Sequence, residues 1–364
     1  MLDPALAKLR QARLLEALAP ASLDAVVVTA PHHVYYLTAH LPQWRHVPAL
    51  VLAGGRATLI SANAPAKDAA ADDVRAYPAN ANATLRMDGP HVVAGMLADV
   101  LGAARRVGFD TGGVAAALQA RLAGRAFVPV DDALHRLRRR KDADELALMR
   151  RAIDATHAMY DVAHAIVAPG VSEIEVYNAL HAAAVSELGE PMTALLGNDF
   201  ACGCGGGPPR AGRRAVAGEL FILDLGPAYR GYFADNARAL SVGRDPTDAQ
   251  RRAWEAIAGV FPLVESLARP GARCRDLYAA VDAHFVQHFG RPQHHHLGHG
   301  VGLEAHEFPH LNPHWDDVLE EGDVFTCEPG VYRDDLRGGL RLENQYRVTA
   351  DGAENLTPFP LGLV

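Results

Sequence analysis

The sequence predicts two domains, a small α/β domain over residues 1–135 and a larger α+β domain over residues 140–364. Three observations carry that expectation. At 364 residues the chain exceeds what one ordinary hydrophobic core fills. Helical and strand-like segments alternate up to about residue 135. Beyond residue 190 the segments become short and β-like, cut by Gly and Pro.

In the first part, residues 3–18 read as helix, and Asp24–Thr29, His46–Leu52 and Ala57–Ser61 as apolar strands. Asn80–Asn82 is turn-like, His91–Leu101 is helical, and Val107–Asp110 and Phe127–Val130 are short strands. The basic stretch HRLRRRKDADE (135–145) reads as a solvated helix face at the domain junction. Glu145–Ala168 keeps helical spacing through Leu146, Met149, Ile153 and Val162 until Pro169-Gly170 stops it. Ser172–Leu188 makes a second helix, with Ser172 and Glu175 spaced as a capping box. Leu220–Leu225, Tyr232–Ser241, Asp323–Val331 and Leu340–Thr349 then read as strands, with helices at Arg251–Leu267 and Cys274–Phe289.

Composition narrows the function classes. The net charge of -8 argues against a nucleic-acid partner, which asks for basic surface. Nearly all positive charge is Arg, with Lys8, Lys67 and Lys141 the only lysines. No stretch is apolar enough to span a bilayer. The N-terminus lacks an apolar signal core and reads as an amphipathic helix, which points to the cytoplasm. The four cysteines, Cys202, Cys204, Cys274 and Cys327, are too few for a disulfide framework and read as reduced thiols.

Four segments carry chemistry. In FILDLGPAYRGYFADNAR (221–238), Asp224 ends an apolar run, and Asp235 follows a Gly-rich reversal. Two strands joined by that turn bring both carboxylates together, at a cost that a metal ion offsets. The alternative is a turn-capping Asp224 and an Asp235 paired with Arg238. In HHHLGHGVGLEAHEFPH (294–310), glycines flank His299 and allow close backbone approach, and His306 follows. Such a stretch suits metal binding or proton transfer, or is a surface loop. Glu328 ends the strand of DVFTCEPGVY (323–332), and Glu343 sits in GGLRLENQYRV (338–348). Each alone reads as a solvated strand-end residue. Together they make four carboxylates and one imidazole at strand ends of one domain. That set suits Mn²⁺, Co²⁺ or Mg²⁺, with Zn²⁺ also accommodated. Five ligands exceed what one catalytic metal with an open position takes, and match two metals roughly 3.5–4 Å apart.

The order D-L-G, D-N-A-R, G-H-G-V-G-L-E-A-H-E, E-P-G-V-Y, R-L-E-N resembles the pita-bread metallopeptidases: methionine aminopeptidase, aminopeptidase P and prolidase, with metal-free creatinase as a relative. The match covers roughly residues 140–364, and the N-terminal part resembles the creatinase-type domain of the prolidase and aminopeptidase P branch. The resemblance implies a pita-bread catalytic domain, two divalent ions per subunit (Mn²⁺ foremost) and a metal-bridging hydroxide that hydrolyses Xaa-Pro dipeptides. It implies Asp224 on one metal, Asp235 and Glu343 bridging, and His299 and Glu328 completing the second. Glu328 is then the proton shuttle and His306 steadies the tetrahedral intermediate. His295 contacts substrate, and Arg341 meets the substrate carboxylate. Aminopeptidase P-like cleavage of longer peptides, and a metal-binding protein without turnover, are the alternatives. A homodimer is implied, with the N-terminal domain at the partner's active-site entrance through loop His40–Val47, including Trp44 and Arg45. One departure stands out: the loop GNDFACGCGGGPPRAG (197–212) lacks the family's upstream histidine, which helps hold substrate or the oxyanion.

Overall fold

The chain divides into two compact units, Met1–Arg138 and Arg139–Val364. The computed structural model describes all residues except Trp44, Gly113, 195–198, Arg244 and Val364. The expected entrance role of Trp44 and the first two residues of the histidine-free loop therefore lie outside the described residues. Among the described residues, no helix is long and apolar enough to cross a membrane.

The first unit opens with α1 (Pro4–Leu18), whose Asp3 cap accepts a 2.7 Å hydrogen bond from the Ala5 N–H. β1 (Ala25–Val28) is buried along its whole length because it runs mid-sheet. α2 (Pro31–Thr38) follows at once. Its aromatic and β-branched residues carry no helical signal, yet Pro31 starts it and the left-handed Ala39 ends it. Tertiary burial of Val34, Tyr35, Tyr36 and Leu37 overrides weak propensity there. β2 (Ala49–Ala53), β3 (Arg56–Ala62) and β4 (Asp73–Tyr77) come next. The turn-like Asn80–Asn82 lies in a two-rung hairpin, β5 (Asn80–Ala81) and β6 (Thr84–Leu85), whose tip residues Asn82 and Ala83 have positive φ. α3 (Gly89–Leu101), β7 (Arg106–Phe109), α4 (Ala115–Arg121), β8 (Ala126–Pro129) and α5 (Asp131–Arg139) complete the series. The sheet order is β4-β3-β2-β1-β7-β8. β1 pairs parallel with β7 and antiparallel with β2, so the sheet is mixed.

In the second unit, α6 (Ala143–Ile166) and α7 (Glu173–Leu188) lead. The capping box at α7 forms as spaced: Glu175 N–H donates to Ser172 Oγ (3.0 Å), and Ser172 N–H to Glu175 Oε2 (2.8 Å). β9 (Asp199–Cys202), β10 (Leu220–Leu225), β11 (Ala228–Tyr229), β12 (Tyr232–Phe233) and β13 (Asn236–Ser241) follow. β13-β10-β9 is an antiparallel sheet, and β11 and β12 form the ribbon that returns β10 to β13. The helix expected over Arg251–Leu267 is two helices, α8 (Asp248–Ala258) and α9 (Val260–Leu267). Pro262 lacks an N–H for the carbonyl one turn back and its ring crowds that carbonyl, so the chain breaks at Gly259. After α10 (Cys274–Phe289) come β14 (Gly298–Gly300), β15 (Glu307–Leu311), β16 (Val324–Cys327), β17 (Gly330–Arg333), β18 (Gly338–Arg341), β19 (Asn344–Val348) and β20 (Ala353–Asn355). β15-β14-β16-β19-β20 is the larger antiparallel sheet, and β17 and β18 form a separate hairpin.

The basic stretch is not a solvated face. Arg138, Arg139 and Lys141 are all buried. Arg139 Nη2 sits 2.5 Å from Asp323 Oδ2, and Lys141 Nζ 2.5 Å from Glu307 Oε1. Arg139 and Lys141 persist as buried cations because each meets a buried carboxylate. The four cysteines are free, as expected.

Candidate metal centre

Two sheets deliver the candidate ligands. Asp224 lies in β10, opposite Ala237 of β13 and Asp199 of β9. Asp235 immediately precedes β13, so the β11–β12 ribbon folds it back toward Asp224. His299 is the middle residue of β14, Glu328 follows β16, and Glu343 lies between β18 and β19. The sheets are joined beside these residues. Glu343 N–H donates to the Ala237 carbonyl (2.9 Å), and Asn236 Nδ2 to the Glu343 carbonyl (2.5 Å). Arg238 does not pair with Asp235. It donates to the carbonyls of Glu343 (2.5 Å) and Pro360 (2.9 Å) and to Asn344 Oδ1 (2.9 Å), and so locks the seam.

The glycines around His299 are steric requirements. A Cβ on Gly298 would lie 1.9 Å from the Thr326 carbonyl oxygen, and one on Gly300 1.9 Å from the Phe308 carbonyl oxygen. Only glycine lets β14 sit that close to both neighbours. His299 Nδ1–H donates to the Gly300 carbonyl (2.9 Å), which turns Nε2 toward the carboxylates. Nε2 stands 3.2 Å from Glu328 Oε1 and 3.7 Å from Asp235 Oδ2. A nitrogen lone pair facing carboxylate oxygens is an arrangement that a cation between them resolves.

Ligand atoms of Asp235, His299 and Glu343 lie within 4.8 Å of one another. Glu343 is 1% exposed, and neither of its carboxylate oxygens has a hydrogen-bond partner. A buried carboxylate left unpaired is costly. Burial, with Asp224 and Glu328 nearby, pushes the Asp235 carboxyl well above its ordinary range. Burial, then Asp235 and Glu328, does the same to Glu343. Asp224 also rises through burial, although Arg341 opposes the rise. Glu328 goes the other way: burial pushes it up, but the hydrogen bond from His296 and the imidazole of His299 against the same oxygen outweigh that and hold it well below the usual value. The donor set is oxygen-rich with one imidazole, and its oxygens lack protein cations sufficient to neutralise them. These residues fit divalent ions.

The remaining expected residues border the same place. His306, an exposed residue, stacks on His299 with ring centroids 3.6 Å apart and 12° between planes. Desolvation in the crowded site, then His299 beside it, holds its pKa down to about 4. His295 is pinned by its Nδ1–H to the His296 carbonyl (2.7 Å) and by Tyr332 Oη at Nε2 (3.3 Å), and burial lowers it to about 4. Arg341 is engaged within the protein: Nη1 donates to Tyr332 Oη (2.9 Å), and Nη2 to Asp224 Oδ2 (2.7 Å) and to Asp199.

Sequence reasoning missed three participants. Tyr332 stood in the quoted E-P-G-V-Y segment and His296 in the histidine run, but nothing in either motif says which way the side chain turns. Asp199 lies in the loop noted only for its missing histidine. That loop is tied down: Glu173 accepts from the Arg210 N–H (2.7 Å), Arg210 Nη2 (2.6 Å) and the Cys202 N–H (2.8 Å). Gly207 N–H donates to Asp199 Oδ1 (2.5 Å).

Residues 147–350 match metallopeptidase family M24, and residues 10–140 match the creatinase/prolidase N-terminal domain. The chain is 30% identical over 236 residues to the Xaa-Pro dipeptidase of Pyrococcus furiosus, an alignment spanning 64% of this chain and 66%, just under two thirds, of that relative. Its fold is similar to the prolidase from Pyrococcus horikoshii (TM-score 0.82, 23% identity, 98% of this chain and 99% of that one). It is also similar to the dipeptidase PepE from Mycobacterium ulcerans (TM-score 0.78, 26% identity, 100% and 98%). The pita-bread architecture expected for the larger domain therefore holds, as does the creatinase-type N-terminal domain. With more than half of its length matched, this chain belongs to metallopeptidase family M24.

Proposed function

We infer that the protein is a metal-dependent peptidase that hydrolyses the Xaa-Pro bond of dipeptides. The observation that carries the reading is Glu343, a buried carboxylate with neither oxygen partnered, beside Asp235 and His299. Asp224, Asp235, His299, Glu328 and Glu343 would hold two divalent ions, Mn²⁺ foremost. Such ions make water acidic enough to act as a nucleophile near neutral pH and polarise the scissile carbonyl.

The chain's own groups account for the rest. Glu328, held ionised by its two histidine partners, takes the proton from the attacking water and delivers it to the leaving proline nitrogen. His306, kept neutral and stacked on His299, presents an N–H to the oxygen that gains charge. His295, fixed at both ring nitrogens, lines the substrate side. The family resemblance also carries a cytoplasmic homodimer whose N-terminal domain meets the partner's active-site entrance.

A second reading, removal of the first residue from longer Xaa-Pro peptides, is favoured by Arg341. Both of its terminal nitrogens are committed to Tyr332, Asp199 and Asp224, so it does not present a free fork to a dipeptide's carboxylate. The test is proline release from Xaa-Pro dipeptides and Xaa-Pro-Yaa tripeptides, with and without Mn²⁺, beside D235N. Metal-dependent cleavage of dipeptides, absent in D235N, supports the first reading. Cleavage of tripeptides alone moves the assignment to the second. No cleavage by metal-loaded protein removes both and leaves a metal-binding protein without turnover.

A further inference from the structure

Beside the five candidate ligands stands another imidazole, His296. Its Nε2–H donates to Glu328 Oε1 at 2.8 Å, the shortest contact that carboxylate makes to a histidine here. Its ring centroid lies 5.5 Å from that of His299 and 5.8 Å from that of His306. The side chain is 37% exposed, so it reaches solvent and is not part of the core.

The contact is built, not incidental. Gln293, itself buried, donates Nε2 to the His296 carbonyl at 2.8 Å, and His295 Nδ1–H reaches the same oxygen at 2.7 Å. The next residue, Leu297, is fully buried, and its N–H donates to the Leu311 carbonyl at 2.8 Å. The Glu328 N–H donates to the Leu297 carbonyl, also at 2.8 Å. Main-chain bonds thus hold residues 296–297 and 328 side by side. The imidazole reaches the carboxylate from a fixed base.

We propose that His296 is a positioning residue for Glu328, fixing the rotation of its carboxylate so that its lone pairs face the metal ions and the reacting water. This rests on the reading of Glu328 as ligand and proton carrier. A ligating carboxylate free to rotate loses both affinity and timing, and hydrogen-bond partners behind metal ligands are typically worth about 10–100-fold in affinity or activity. The histidine-free loop makes the role more pressing, because no imidazole reaches the site from its described residues 199–212.

The experiment is calorimetric titration of Mn²⁺ into metal-free wild type, H296A, H296Q and E328Q, followed by kcat and KM on an Xaa-Pro dipeptide. Melting curves of the metal-free proteins confirm that each variant folds. H296A should keep the wild-type stoichiometry, bind about 10–100-fold more weakly and lose kcat by a similar factor with KM little changed. H296Q, whose amide N–H can still reach the carboxylate, should recover most of both. Wild-type affinity and turnover in H296A, with affinity lost in E328Q, overturns the inference alone. Loss of one metal equivalent in H296A also overturns it, because His296 would then be a ligand, with His299 and His306. Unchanged affinity in both H296A and E328Q removes the site reading beneath it as well. Weakened metal binding in H296A, in a protein that cleaves no Xaa-Pro peptide even as wild type, keeps the inference and removes the peptidase reading.

Discussion

Each unit buries a carboxylate almost completely, and the two are treated in opposite ways. In the first unit, Asp110 is 1% exposed and accepts from the Thr29 N–H (2.9 Å), Thr29 Oγ1 (2.9 Å), the Ala30 N–H (2.7 Å) and His33 Nδ1 (3.3 Å). Burial pushes its carboxyl up, but those donors outweigh burial and hold it below the ordinary value. In the second unit, Glu343 is equally buried, yet neither oxygen finds a partner, and its carboxyl rises. A carboxylate satisfied by its own fold serves structure. One left unsatisfied beside two others is completed by something from outside.

The sharpest way to break this contrast is E343Q. Activity should fall by about a thousandfold or more, several kcal/mol at about 1.4 kcal/mol per tenfold, together with Mn²⁺ affinity. The same change should raise the melting temperature of the metal-free protein, because it removes a buried, unpartnered carboxyl whose ionisation burial and the neighbouring carboxylates oppose. A lower melting point with intact metal binding would refute the contrast.

K141M probes the opposite arrangement. Lys141 and Glu307 are 1% and 5% exposed at the side chain, and breaking a buried pair costs about 3–5 kcal/mol. Urea unfolding of the second unit should show that loss, and the double change K141M/E307L should recover much of it. D110N comes next. It trades an acceptor for a donor against Ala30 and Thr29, and should cost about 1–3 kcal/mol in the first unit. Added Mn²⁺, expected to stabilise the second unit, should not restore it; rescue by metal would place Asp110 in the same class as Glu343.

The smallest expected effect is a pH slope in the first unit. Burial, then His33 and Arg138, lowers His32 from 6.5 to about 3. The unfolded chain therefore takes up the proton first. Stability is fully present above about 6.5 and declines as pH falls toward 3. H32Q should flatten the denaturation midpoint over that window, and an unchanged slope would assign it to other groups.

The sequence was readable where chemistry follows local order. Asp224 at the end of an apolar run, Glu328 before a Pro-Gly turn and the glycines around His299 were each visible in local order. It was not readable where the partner lies far along the chain. Arg139 and Lys141 looked solvated because their carboxylates, Asp323 and Glu307, stand 184 and 166 residues away. His296 hid among identical neighbours, since only the anchoring of its backbone by Gln293 decides where its ring points. α2 was silent for a related reason: its helicity comes from burial of four apolar residues, not from periodicity.

The orphaned Glu343 also bears on how long the protein survives in a cell. A chain folded without its ions carries an uncompensated strain that a loaded chain lacks, and binding at a hundred times Kd adds about 2.7 kcal/mol of stability. Protease attack follows the population of opened molecules, so metal supply should set abundance as well as activity. Limited proteolysis with and without chelator measures this directly, and equal half-lives would uncouple the two. A cell short of the metal would then lose the protein itself before it accumulated an idle pool.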